Sequence, residues 1–176
     1  PQVPVISFTG STHAGRLVGE LGAKYLKRVH LELGGNSALI VLDDVDIDRA
    51  VAAGAWGSFF HQGQICMIAN RLIVDHTIYD DFVERFVDRV RALTVGDPKD
   101  PRTTIGPVIN HTQLDSVLDK IKRAQLDGAT VAVGGNVAGP AQLCLPPHVL
   151  LGDNTVATAR EEVFGPVITI IRATGE

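Results

Sequence analysis

Val3-Pro4-Val5-Ile6-Ser7-Phe8 runs into Thr9-Gly10-Ser11-Thr12, and the stretch from Ala14 to Tyr25 then carries Gly15, Gly19 and Gly22 at helical spacing. The opening run is short, apolar and β-branched and stops at a turn, so it reads as a strand. Ser11 or Thr12 can cap a helix over about residues 14–25. The three glycines fall on roughly one face, where missing side chains let a helix approach a sheet closely. Val29–Leu33 and Ser37–Leu42 read as two further strands on either side of Gly34-Gly35. Strand, helix and strand in succession is the pattern of an α/β fold.

The remainder extends the alternation. Asp46 is a cap for a helix over Ile47–Phe60. His61-Gln62-Gly63-Gln64 ends that helix, His61 included, and delivers Cys66 in a loop or at the start of the next element. Arg71–Val74 reads as a strand. Thr77–Leu93 reads as a helix with Ile78, Phe82, Phe86, Val90 and Leu93 along one face. Asn110 or Thr112 starts another amphipathic helix, ending near Asp127. Thr130–Val133 is a strand, residues 134–147 are a Gly/Pro-rich connection, and His148–Leu151 and Val167–Arg172 are the last strands. The fold expected is α/β, with a mainly parallel sheet flanked by helices.

Bulk properties bound the function. Of 176 residues 45% are hydrophobic and 20% charged, enough for a buried core. Net charge is -4 with scattered basic residues, which argues against nucleic acid as a partner. The apolar runs are strand-sized and too short for a membrane span. No charged leader with an apolar run opens the chain, so a cytoplasmic protein is expected. The two cysteines, Cys66 and Cys144, form no C-x-x-C pair, and the six histidines show no zinc-ligand spacing, so no metal is expected.

Four segments carry candidate chemistry. Thr9-Gly10-Ser11-Thr12-His13-Ala14-Gly15 joins a strand to a helix start, where backbone N–H groups can face a phosphate. It is no Walker A loop, because Arg16-Leu17 stand where Lys and Ser/Thr are required. By spacing alone a plain capped turn is the better explanation; the glycines suit phosphate binding but do not demand it. Glu32 lies between Leu31 and Leu33 ahead of Gly34-Gly35. Strand alternation can turn it to solvent, whereas a partly apolar pocket would make it a base near neutral pH. Cys66, in Gly63-Gln64-Ile65-Cys66-Met67, has glycine nearby to admit a substrate, and N–H groups around the thiol can stabilise an oxyanion. Glu161-Glu162-Val163-Phe164-Gly165-Pro166 reads by itself as an exposed turn.

Together, and in this order, the four segments resemble the signature set of the aldehyde dehydrogenase superfamily. Phe8-Thr9-Gly10-Ser11-Thr12-x-x-Gly15 is similar to its cofactor-phosphate turn, and Leu31-Glu32-Leu33-Gly34-Gly35 to its glutamate motif. Gly63-Gln64-x-Cys66 is similar to its cysteine motif, and Glu161–Pro166 to its cofactor-ribose motif. The resemblance implies NAD(P)-dependent oxidation of an aldehyde to a carboxylic acid, through a thiohemiacetal and then a thioester on Cys66. It assigns Glu32 as the general base and Gly10, Ser11, Gly15, Leu33, Glu162 and Phe164 as contacts to NAD or NADP. Family members are more than twice as long, so it implies a fragment. Residues 1–34 would be the C-terminal piece of a Rossmann-type cofactor domain. Residues 35–176 would be most of the catalytic domain, lacking its C-terminal part.

The same resemblance implies a small-molecule aldehyde substrate, a homo-oligomer for the full-length form, and little turnover by the short chain alone. The segment around Cys66 is similar to bacterial branches acting on aromatic aldehydes. Two other readings stand beside it. One is an acylating relative that passes the acyl group to coenzyme A or phosphate, against which Glu32 argues. The other is an inactive interaction module, with an exposed apolar face where the rest of the cofactor domain would pack.

Overall fold

The computed structural model describes residues 2–175; Pro1 and Glu176, the outer limits of the two expected domains, lie outside the described residues. The chain divides after Gly35 into two compact units.

The first unit is a βαβ arrangement: β1 (Val5–Thr9), α1 (Thr12–Lys24) and β2 (Arg28–Glu32). The strands are parallel and in register from Val5 opposite Arg28 to Thr9 opposite Glu32. Ser11 caps α1, its side chain accepting the Ala14 N–H, so the helix starts two residues earlier than the glycine pattern indicates. The glycine face meets the sheet as expected. A Cβ on Gly15 would lie 2.4 Å from the Leu33 side chain, one on Gly22 2.4 Å from Val29, and one on Gly19 3.7 Å from Leu31. The opposite side of α1 leaves Leu17, Leu21 and Tyr25 exposed.

The second unit is a five-stranded sheet in the order β3-β4-β7-β6-β5, made of β3 (Ser37–Val41), β4 (Ala69–Asp75), β5 (Thr130–Val133), β6 (His148–Gly152) and β7 (Val167–Ala173). All neighbours are parallel except β5, which runs antiparallel to β6 at one edge. The alternation of side chains along β7, apolar on both faces, divides them between two cores. Ile168 and Ile170 join Leu72, Val74, Phe82, Phe86 and Phe59 beneath α2 (Ile47–Phe59) and α3 (Tyr79–Arg91). Val167 and Ile171 join Leu114, Val117, Ile121 and Leu150 beneath α4 (His111–Leu126) and α5 (Ala157–Arg160). The result is a sheet covered on both faces, as parallel strands require.

Two differences from the sequence reading have identifiable causes. Thr77 does not enter α3, because its N–H and hydroxyl both bond the Asp75 carboxylate, at 2.8 and 2.6 Å. The short helix α5 was not expected. It is held by the Asp127 carboxylate, which accepts the Ala157 N–H, and by a buried Thr158–Thr169 hydroxyl pair at 2.7 Å.

Candidate active site

The cysteine segment is built on unusual backbone. Helix α2 ends at Phe59, and His61 (φ 52°), Gln62 (φ 56°) and Gly63 (φ 71°) then follow in left-handed conformation. His61 therefore opens a separate turn instead of closing the helix, correcting the sequence reading. For L-residues such backbone costs roughly 1–2 kcal/mol each, so neighbouring bonds must hold it. The Gln62 amide supplies two of them in the orientation that satisfies both its groups, with Oε1 accepting the Gly106 N–H at 3.0 Å and Nε2 donating to the His61 carbonyl at 3.1 Å. Gly63 is buried, and a Cβ there would stand 2.0 Å from the Gly165 carbonyl oxygen, so only glycine fits. Beyond it Cys66 and Met67 occupy the centre of a turn closed by the Ile68 N–H to the Ile65 carbonyl, and the Cys66 thiol is exposed. Among the described residues no acceptor takes the Cys66 N–H.

Strand register explains why Gly63 and Gly165 touch. Ala69 opens β4 and Val167 opens β7, and these strands are parallel neighbours in the sheet. The segments entering them therefore arrive side by side at the amino ends of the strands. In open α/β sheets ligands usually sit at the carboxyl ends, so this placement is distinctive. The segment 161–166 is not the exposed turn it resembles in isolation. Val163, Gly165 and Pro166 are buried, Glu162 and Phe164 partly so, and Phe164 is left-handed at φ 55°. Gln113, in the first turn of α4, donates to the carbonyls of Val163 and Phe164 at 3.3 and 2.8 Å. Sequence reasoning missed Gln113. The signal was a glutamine three positions after the helix cap Asn110, free to reach outward.

The remaining candidates lie in the first unit. Glu32 ends β2 with its side chain 65% exposed and its carboxylate 2.9 Å from His30 Nε2. Strand alternation thus points it to solvent. The Gly10 N–H is engaged by the Glu32 carbonyl at 3.0 Å, tying the turn to the glutamate strand through the backbone. Gly15 and Leu33 are in contact with each other, as described above. Ser11 and Thr12 are exposed at the start of a 13-residue helix whose first turn carries no acidic side chain.

Two other groups resolve into structural roles. Cys144 is buried, its Sγ 3.6 Å from the Gly96 carbonyl oxygen, and burial pushes its thiol pKa up. His148 is buried with Nδ1 2.8 Å from the Pro146 carbonyl oxygen, and desolvation holds its pKa below the usual histidine value despite that bond. A groove of about 350 Å³ runs beside α2, lined by Trp56, Phe60, His61, Gln62, Arg89 and Leu93. The Trp56 and Phe60 rings stack there with centroids 5.0 Å apart. Among the described residues no three His, Cys, Asp or Glu side chains gather as metal ligands, and no helix is long and apolar enough to cross a membrane.

The fold is that of solved dehydrogenases. The chain superposes on an NAD-dependent benzaldehyde dehydrogenase from Corynebacterium glutamicum with a TM-score of 0.89 and 48% identity, covering 97% of this chain and 37% of that one. On the Staphylococcus aureus betaine aldehyde dehydrogenase solved with NAD+ the TM-score is 0.93 at 33% identity, covering 98% and 35%. In sequence it is 48% identical over 175 residues to the Corynebacterium glutamicum vanillin dehydrogenase, covering 98% of this chain and 36% of that protein. The model of the aldehyde dehydrogenase family matches residues 1–176, and the chain belongs to that family. It spans about a third of the length of the curated relatives it matches.

Proposed function

We propose that the protein oxidises an aldehyde to a carboxylic acid with NAD or NADP, Cys66 acting as nucleophile and Glu32 as general base. The observation that carries this reading is the Cys66 turn: an exposed thiol on a backbone held rigid by Gly63 and Gln62, in the family's cysteine pattern. Residues 1–34 then belong to the cofactor domain and 35–176 to the catalytic domain.

The chemistry follows from the carbonyl. Hydride does not leave a planar aldehyde carbon readily, so the Cys66 thiolate first adds to it, forming the C–S bond and placing the charge on oxygen. The Cys66 N–H, without an acceptor among the described residues, is available to that oxyanion. NAD(P), when bound, supplies the acceptor that takes the hydride and leaves a thioester on Cys66. Glu32 takes a proton from water, whose oxygen attacks the thioester carbon, and the C–S bond breaks to give the acid and free thiolate.

The first turn of α1 fits a pyrophosphate. Its Thr12 and His13 N–H groups have no intrahelical partner by helix geometry, and no carboxylate opposes an anion there. Ser11, with Gly10 and Gly15 shaping the turn, would hold that group. Leu33, Glu162 and Phe164 would contact the nicotinamide half. An aromatic aldehyde is favoured as substrate by the vanillin and benzaldehyde dehydrogenases among the relatives, and by the stacked Trp56 and Phe60 upstream of Cys66.

The test is to assay NAD(P)H and acid formation from benzaldehyde, vanillin and acetaldehyde, with and without coenzyme A, using the longest polypeptide the gene encodes. Acid formation independent of coenzyme A, with higher kcat/KM for the aromatic aldehydes, is expected. A strict requirement for coenzyme A would instead make the protein an acyl-transferring member.

A further inference from the structure

We propose that Gln62, Gln64 and Gln113 are positioning residues that lock the Cys66 turn and the Glu162–Phe164 turn onto one strut, residues 106–113. Each amide reaches that strut or leaves from it. Gln62 Oε1 accepts the Gly106 N–H at 3.0 Å. Gln64 Oε1 accepts the Ile109 N–H at 3.0 Å, two residues before Cys66. The strut continues through Asn110, whose side chain accepts the Gln113 N–H at 2.8 Å and so starts α4. Gln113 Nε2 then donates to the carbonyls of Val163 and Phe164, the residues following Glu162.

The strut is itself anchored. Val108 is buried and its N–H donates to the Leu143 carbonyl at 3.0 Å, and Gly106 is buried at the foot of the Gln62 amide. A second, direct link joins the two turns at their base, where Gly63 abuts the Gly165 carbonyl. The turns thus form one body: a displacement of the strut moves both, and neither can move far without the other. This rests on the roles proposed above for Cys66, Glu162 and Phe164 only for its catalytic meaning, since the linkage is a property of the fold.

The amides differ in chemical sign, and that difference supplies the test. Gln64 is used as an acceptor, which glutamate can replace, whereas Gln113 is used as a donor, which glutamate cannot. Hydrogen–deuterium exchange is measured on the 176-residue chain for peptides covering 61–69, 161–167 and the core strand β6. Gln113→Met is expected to speed exchange not only at 161–167 but also at 61–69, which its side chain does not touch, with β6 unchanged. Gln64→Met is expected to loosen both turns, and Gln64→Glu to restore both. Gln113→Glu restores neither.

Loosening confined to the turn each residue touches would overturn the proposal, as would a Gln64→Glu variant no better than Gln64→Met. Should Gln113→Met unfold the chain, the Gln64 pair decides by the same two criteria. In turnover assays on the longest encoded polypeptide, Gln64→Met should lower kcat about ten- to a hundredfold, since displacing a reacting group by an ångström costs that much, with Gln64→Glu recovering most of it. Absence of turnover in the unaltered protein would defeat the functional reading and leave the exchange result standing.

Discussion

Glu32 ends the second strand of a three-element βαβ unit, whereas Cys66 precedes β4, an interior strand of a five-stranded sheet covered on both faces. The first unit coheres by close approach: the buried residues of α1 are Gly15 and Gly22, and contacts run from glycine to Leu33, Leu31 and Val29. The second coheres by volume, with two clusters of large side chains and Phe82 and Phe86 stacked 5.6 Å apart. The nucleophile proposed at Cys66 would need a fixed backbone around it, and the second unit provides one. The base proposed at Glu32, acting through water, would tolerate an exposed strand end. The contrast predicts where each kind of damage will appear.

The largest effect should come from Cys66→Ala, which removes the atom proposed to form the bond to substrate. Turnover is expected to fall by about 10⁴-fold or more, as removal of a covalent nucleophile does. The exposed position should leave the melting temperature unchanged, so a destabilised variant would argue for a structural thiol. Next comes Glu32→Gln. Steady-state turnover is expected to drop about 10²- to 10³-fold, within the range for loss of a general base. A single-turnover burst of NAD(P)H should survive, because acylation precedes the step proposed for Glu32. Loss of the burst together with turnover would assign Glu32 to an earlier step.

Stability effects should be divided the same way. Leu72→Ala, at a fully buried position between α2, α3 and the sheet, should cost about 2–5 kcal/mol in urea unfolding. Leu17→Ser, on the exposed side of α1, should stay within about 0.5 kcal/mol. Similar losses at the two sites would erase the distinction between the units.

Between these lies an effect of pH. His148 is buried and its pKa is depressed, so below the ordinary histidine value the unfolded chain binds a proton that the folded chain refuses. Its contribution is intact above about pH 6.5 and is lost as the pH falls toward the depressed folded value. Urea midpoints should therefore decline from about pH 7.5 to 5.5, and His148→Asn should flatten that decline. A decline unchanged in the variant would assign it to other groups.

Much of this architecture was legible because it depends on local pattern. The strand-sized apolar run at Val167–Ile171 and the spacing of Phe82, Phe86 and Val90 announce their elements, and Gly15, Gly19 and Gly22 announce a close sheet. The caps Ser11, Asp46 and Asn110 were readable for the same reason. What escaped depends on partners distant in sequence. His61 and Gln62 have no composition that marks left-handed backbone, and are held there by Gly106 and the surrounding turn. Segment 161–166 resembles an exposed turn until β7 is seen beside β4 with Gln113 above it. The helix α5 is four residues long and depends on Asp127, thirty positions earlier.

The gathering of both turns at the amino ends of β4 and β7 has a practical side. The carboxyl ends of β3 and β4 open into residues 42–46 and 76–78, at the opposite rim of the sheet from Cys66. Those loops are natural handles for a fluorophore, an affinity tag or a surface tether. In evolution they are also where insertions could accumulate without disturbing the thiol.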